Sequence, residues 1–225
     1  MPKEQENSLQ SQAYQYIRQK IATCEYAPNQ MLSESQLRDE LGISRTPVRE
    51  AVSRLVQEGL LTVFPKRGIV VSGISIGDVH KIFEVRSLLE PYTLRTYHNN
   101  ISLEEMKEFS DSFHNHALPC GDTCLQDFYQ LDDAFHALIM RSLENDYLQE
   151  LSARIQTQNF RLRILSGKTI DSRIRDTMIE HAQIADACLN GEWEQAATAM
   201  EIHLIHSRNS ALSMLLKQSS IAGIL

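Results

Sequence analysis

The chain has 225 residues, 42% hydrophobic and 23% charged, which suits two small domains, each with its own core. No apolar run is long enough to cross a bilayer, and polar residues 1–10 lack the apolar core of a secretory leader, so a cytoplasmic protein with reduced cysteines is expected. The net charge of −7 excludes a uniformly basic nucleic-acid binder, but the charge is uneven: residues 1–74 sum to +1 and the rest to −8, and all eight histidines lie in the second part.

In chain order, residues 1–9 offer nothing to bury and are expected to be disordered. A first helix is predicted over 8–24, with Ala13, Tyr14, Ile17 and Ile21 on one face. Pro28 and Asn29 then break the chain. Ser33-Glu34-Ser35-Gln36 fits a capping box that opens a second helix, which ends at Leu41-Gly42, where glycine supplies a left-handed cap. A third helix is predicted over 45–58, with Ser44 or Thr46 as its cap, Pro47 in the tolerant first turn and Gly59 as its stop. Residues 61–64 and 69–71 read as two short strands joined by Pro65-Lys66-Arg67-Gly68, a hairpin with a basic tip. A linker is placed at 73–76. Beyond it the pattern is helical, near 76–97, 103–117, 125–142, 147–165, 171–189 and 193–216. The expected fold is mainly α: a winged helix-turn-helix with a small β-hairpin wing at 10–72, then an all-α helical bundle at 77–218.

On the third helix, Val48, Ala51, Val52, Leu55 and Val56 share one face and are expected to point inward. Thr46, Arg49, Glu50, Ser53 and Gln57 lie opposite, with Arg45 and Arg54 at the edges. Arginine can bond two acceptors on guanine, and hydroxyls such as those of Ser44, Thr46 and Ser53 reach phosphates or bases. The free amides at the helix start favour phosphate, and Lys66 and Arg67 at the hairpin tip suit a neighbouring phosphate or the minor groove. Each residue alone reads better as part of a solvated face. Their succession, a capped helix, a tight glycine turn, a cationic helix and a basic hairpin, points to DNA. With so little net positive charge, the contacts must come from a few placed cations.

In the second part, Asp132 and His136 are four apart on a helix whose stripe continues through apolar Ile139 and Leu143. His181 is in line with Ile184, Ala185 and Cys188, and His203 follows Ala199 and Met200. Four inward polar side chains need partners. A shared divalent metal is one solution; an Asp–His hydrogen bond plus two separately satisfied core histidines is the other. Arg86 has two readings as well, a pocket cation or a surface ion pair with Glu90 one turn on. His114, His116, Cys120 and Cys124 form a second candidate metal cluster, where a helix gives way to a Pro-Gly loop. Trp193 reads as a packing residue at a helix start.

Leu32-Ser33-Glu34, Leu41-Gly42-Ile43-Ser44-Arg45-Thr46-Pro47-Val48-Arg49-Glu50-Ala51 and Leu55-Val56-Gln57-Glu58-Gly59-Leu60 closely resemble the GntR family of bacterial regulators. The resemblance implies that Arg38, Arg45, Thr46 and Arg49 contact DNA, together with the wing around Gly68. Leu131-Asp132-Asp133-Ala134-Phe135-His136, Asn145, Glu180-His181 with Ile184, Gly191 and Met200-Glu201-Ile202-His203 resemble the FCD ligand-binding domain that marks the FadR branch of that family. This implies a metal held by Asp132, His136, His181 and His203, for which zinc, nickel and manganese are all suitable. It also implies a small carboxylate effector beside the metal. Arg86 matches a family arginine near the pocket, and Arg161 and Arg163 are further candidates to neutralise the acid. Such regulators bind double-stranded DNA as homodimers, on inverted repeats with half-sites about one helical turn apart. Two other functions fit parts of the sequence. A metal-dependent hydrolase would use Glu180 as base and water on the metal, but four protein ligands leave little room and the winged helix would go unexplained. In the other, the helical domain only dimerises.

Overall fold

The computed structural model describes residues 8–65, 67–115, 122–165 and 171–221. Its first helix, α1 (Leu9–Ala22), starts at Ser8, whose hydroxyl accepts from the Ser11 N–H at 3.1 Å. Ala13, Tyr14, Ile17 and Ile21 are its buried residues, the four that the helical period selects. Next comes a strand absent from the sequence reading, β1 (Met31–Leu32). Two residues are too few to show alternation, and β1 exists only through its pairing with β3.

In α2 (Glu34–Leu41) the Ser33 hydroxyl accepts from the Gln36 N–H at 3.1 Å, and Gly42 closes the helix at φ +65°. Half of the expected capping box is missing: the Gln36 side chain donates to Glu40 at 2.9 Å instead of reaching back. α3 (Arg45–Gln57) starts at Ser44, whose side chain makes no capping bond. It ends with Gly59 at φ +73° and the Leu60 N–H on the Leu55 carbonyl at 2.9 Å, a Schellman closure.

β2 (Leu61–Phe64) and β3 (Gly68–Val71) form the hairpin, and the antiparallel sheet has the order β1-β3-β2. Gly68 pairs with Phe64 at φ +119°, and a Cβ there would stand 3.0 Å from the Leu32 carbonyl oxygen. The approach of β1 to the hairpin end therefore requires glycine. One core, with Ile17, Ile21, Leu37, Val48, Leu55 and Ile69 in it, binds the three helices to the sheet. Val56, expected inside, is 37% exposed. It sits at the rim of the apolar arc, and α1 and α2 cover only the arc's centre.

A second compact unit begins at Ile76. It comprises α4 (Ile76–Thr96), a 3-10 turn at His98–Asn100, α5 (Leu103–Asn115), α6 (Asp122–Met140), α7 (Asp146–Leu165), α8 (Asp171–Leu189) and α9 (Trp193–Ile221). α9 packs along α4 and α8, and α8 along α5. Arg95 of α4 anchors α9 by bonding Glu194 at 2.7 Å and Glu201 at 2.8 Å. Trp193 stacks on His98 with ring centres 4.9 Å apart. In the core, Phe113 and Phe135 meet edge to face at 5.1 Å, and both rings pack against His181. No helix among the described residues is long and apolar enough to cross a membrane.

Candidate functional site

Two surfaces carry the candidate residues. On the first unit, Pro47, Val48, Ala51, Val52 and Leu55 turn α3 inward, which leaves Ser44, Arg45, Thr46, Arg49, Glu50, Ser53 and Gln57 exposed. Arg49 is 70% exposed, and its Nε lies 3.1 Å from Glu34 Oε1 on α2. Such a solvated pair is worth about 0–1 kcal/mol, so a phosphate or base can replace Glu34 at little cost. Arg38 pairs with its neighbour Asp39 at 2.9 Å. Arg54, expected at the edge of the face, is exposed and lies 3.7 Å over the Tyr14 ring of α1. Arg67 is exposed beside Gly68; Lys66 lies outside the described residues.

The second site is buried in the helical unit. Asp132 and His136 come from α6, His181 from α8 and His203 from α9, and all four are nearly inaccessible. One nitrogen from each of His136, His181 and His203 lies within 4.8 Å of the other two. His181 Nε2 and His203 Nε2 are 3.3 Å apart, the spacing of two nitrogens on one tetrahedral ion at about 2.0–2.1 Å from each. Asp132 Oδ1 is 3.8 Å from His181 Nε2, and Oδ2 is 3.9 Å from His136 Nε2. The structure thus brings the three histidines into one group, with Asp132 beside two of them. Arg163 also pairs with Asp132 Oδ2.

Two glutamates orient the imidazoles. His136 Nδ1 bonds Glu90 of α4 at 2.7 Å, and His203 Nδ1 bonds Glu180 at 2.8 Å. Each bond places the proton on Nδ1 and leaves Nε2 as a lone-pair donor facing the cluster, the arrangement that sets histidines for a metal. His136 Nε2 is buried and has no hydrogen-bond partner among the described residues. An isolated buried acceptor is costly, and a cation at the cluster would satisfy it. The donor set therefore fits a divalent metal. The alternative of separately satisfied histidines does not account for the His136 Nε2 atom.

Neither glutamate stood out in the sequence as a positioning group. Glu90 was visible only as the i+4 partner of Arg86, and the structure makes that pair at 2.6 Å, buried rather than on the surface. Arg86 also bonds Asn159 at 3.0 Å. Glu180 accepts two bonds from Arg173, each at 2.8 Å, and one from exposed His206 at 2.8 Å.

Beside Asp132 opens a cavity of about 80 Å³, lined among others by Arg86, Arg163, Arg173, Asn159 and Ser207. A smaller one of about 20 Å³ lies on the other side of Arg86, against Glu90, Asp133 and His136. Of the expected arginines, Arg86 and Arg163 line the larger cavity. Arg161 lines neither; it is fully buried and bonds Gln158 at 2.8 Å. Arg173, not singled out before, takes its place. In the alternative metal cluster, His114 bonds Asp186 at 2.9 Å; His116, Cys120 and the Cys124 side chain lie outside the described residues.

Burial sets the charge states. Desolvation, together with mutual repulsion among the imidazoles, holds His181 well below the ordinary histidine value. Desolvation brings His203 down to about 4, although Glu180 acts to raise it. Burial would lift Glu180, but hydrogen bonds from His203, Arg173 and His206 outweigh it and hold the carboxyl at about 2. Glu90 is also held well below the carboxylate range, because Arg86 and His136 outweigh its burial. Neutral imidazoles and ionised carboxylates are what coordination needs.

A pH dependence follows. In the unfolded chain His203 titrates near 6.5, and in the fold near 4. Between those values the unfolded state binds the extra proton. The stabilising contribution is thus complete above pH 6.5 and is lost as pH falls towards 4. With a chelator present, urea unfolding should show about 2 kcal/mol less stability at pH 5 than at pH 7 from this residue. The variant His203→Gln should lose that part of the pH dependence. An identical pH dependence in both proteins would contradict the assignment.

A winged helix-turn-helix followed by an all-helical second unit has the build of a transcription regulator. The chain belongs to the gntR family of bacterial regulatory proteins, whose model matches residues 9–71, and residues 81–206 match the FCD domain. It is 32% identical over 192 residues, covering 85% of this chain and 80% of the relative, to an HTH-type transcriptional regulator in an unstable DNA locus of Streptomyces ambofaciens. A GntR-type transcriptional regulator from Rhodococcus sp. RHA1 has a similar fold, with TM-score 0.76 and 18% identity over 91% of this chain and 97% of that one. The Zn²⁺-bound FCD domain of the regulator TM0439 aligns at TM-score 0.53 and 20% identity, covering 64% of this chain and 98% of that domain. The protein is a transcriptional regulator, and the hydrolase reading is set aside.

Proposed function

We propose that this regulator works in the cytoplasm as a homodimer on an inverted-repeat operator, and that a small carboxylate bound beside a divalent metal sets its operator affinity. The DNA-reading part spans residues 10–72, with Arg38, Ser44, Arg45, Thr46, Arg49, Ser53, Lys66, Arg67 and Gly68 at the interface. The sensing and dimerising part spans 77–218. One observation carries the reading: the buried Nε2 atoms of His136, His181 and His203 converge beside Asp132, at the edge of an arginine-lined cavity. The Zn²⁺ in the FCD domain of TM0439 supports it.

Asp132, His136, His181 and His203 would hold the metal, with zinc, nickel and manganese all compatible with these donors. Bound there, the metal supplies an electropositive pole for an acid oxygen. Glu90 and Glu180 keep two imidazoles in the coordinating tautomer. Arg86 and Arg163 face the acid. The test is operator binding by fluorescence anisotropy with zinc-loaded protein, with and without organic acids. A 5- to 150-fold change in affinity, about 1–3 kcal/mol of coupling, is expected. An operator affinity indifferent to chelator, zinc and acids would leave the helical unit as a dimerisation domain only.

A further inference from the structure

Three arginines reach the larger cavity from three helices: Arg86 from α4, Arg163 from α7 and Arg173 from α8. Each is already matched by a carboxylate. Arg86 pairs with Glu90 at 2.6 Å, Arg173 with Glu180 at 2.8 Å, and Arg163 with Asp132. These six side chains are all mostly buried, with 4% to 17% of each exposed. At the cavity these three pairs therefore cancel one another. The histidines add nothing to this sum, since an imidazole must be neutral to coordinate.

A divalent metal on His136, His181, His203 and Asp132 would add two positive charges to a neutral, buried cluster. Buried charge without a counter-charge is strongly disfavoured. Asp133, the acid next to Asp132 in sequence, is poorly placed to supply one. Asp133 lies 3.8 Å from Arg163, is one-third exposed and lines only the smaller cavity, and its burial disfavours the charged form. An anion filling the cavity supplies the compensating charge at the site itself.

Resting on the metal reading above, we infer that the effector is a small dicarboxylate, a dianion that restores neutrality at the loaded site. Size agrees with charge. A cavity of about 80 Å³ has room for at least about five to eight water-sized atoms at about 10–15 Å³ each, enough for a diacid of about three or four carbons. Its polar lining is spread over α4, α7, α8 and α9, through Arg86, Arg163, Arg173 and Ser207. A molecule with a carboxylate at each end can engage such a lining from both sides. Phe83, Phe128 and Leu162 supply apolar wall for the short carbon chain between the ends.

The test is calorimetric titration of zinc-loaded full-length protein with succinate, butyrate, succinamate and inorganic phosphate. Succinamate keeps the shape of succinate with one charge removed. Succinate should bind at least tenfold more tightly than each of the others. In Arg163→Gln, which has one positive charge fewer, the preference for succinate over succinamate should shrink towards parity while zinc is retained. Zinc content is measured on the same samples by elemental analysis. Wild-type protein that takes up no zinc would overturn the metal reading itself. Zinc uptake with butyrate or succinamate binding as tightly as succinate would overturn the dianion inference alone. Phosphate binding as tightly as succinate would show that charge, not the two-carboxylate shape, is selected, and would overturn the dicarboxylate assignment.

Discussion

Zinc at a thousandfold excess over its dissociation constant is expected to stabilise the wild-type protein by about 4 kcal/mol, and the His181→Ala variant not at all. The first figure is mass action on a site present only in the fold. It corresponds to about 8–16 °C in melting temperature for a unit of this size. His181 is the most telling position because it is fully buried and its Nε2 lies 3.3 Å from His203 and 3.8 Å from Asp132. Its loss removes a ligand from the middle of the set. It also leaves a cavity against Phe113 and Phe135, so the variant should melt lower even with a chelator present. The readout is therefore the difference with and without zinc, which packing alone does not change. Elemental analysis after dialysis should find about one zinc per wild-type chain. Metal retained by the double variant His136→Ala, His181→Ala would move the site to the His114–Cys124 segment.

Operator binding should fall by about 2–6 kcal/mol in Arg49→Ala and by a similar amount in Arg45→Ala. One base-contacting arginine is worth about 1–3 kcal/mol, and each substitution enters a homodimer twice, once per half-site. Folding should be little affected. Arg49 is 70% exposed and pairs in solvent with Glu34, a contact of small worth. Arg45 is exposed at the start of α3. Both variants should lose discrimination at a single base in each half-site. Lys66→Ala should weaken all sequences alike and flatten the salt dependence, as a phosphate contact does. Footprinting and anisotropy across a set of operator variants measure both effects. Arg49→Ala with wild-type affinity and sequence preference would remove α3 as the reading helix.

The DNA-binding unit was legible because its determinants are local. The period of Ala13, Tyr14, Ile17 and Ile21, the Ser33 cap, and the glycine stops at 42 and 59 act within a turn or two of chain. Each keeps its role in the fold. The failures there are places where a distant element competes. Gln36 prefers Glu40 to its own helix start, and β1 forms only because β3 lies beside it.

In the helical unit the sequence placed Asp132, His136, His181 and His203 on inward stripes, because a helix displays each face at a fixed period. It could not decide between one shared partner and several private ones. That depended on how α6, α8 and α9 rotate against each other, which is set by packing over residues as far apart as His136 and His203. The same reason hid Glu90 and Glu180. Their hydrogen bonds to His136 and His203 span 46 and 23 positions, and no periodicity within one helix encodes such a distance. Arg161 and Arg163 are two positions apart on α7, so they leave the helix in different directions. Only the packed bundle settles which of the two meets Asp132, and it is Arg163. Sequence alone marked most of the side chains that are buried, through the cost of exposing an apolar stripe, though not Val56 at its rim. The tertiary structure decided which buried charges face one another, because electrostatic partners are chosen by distance in space.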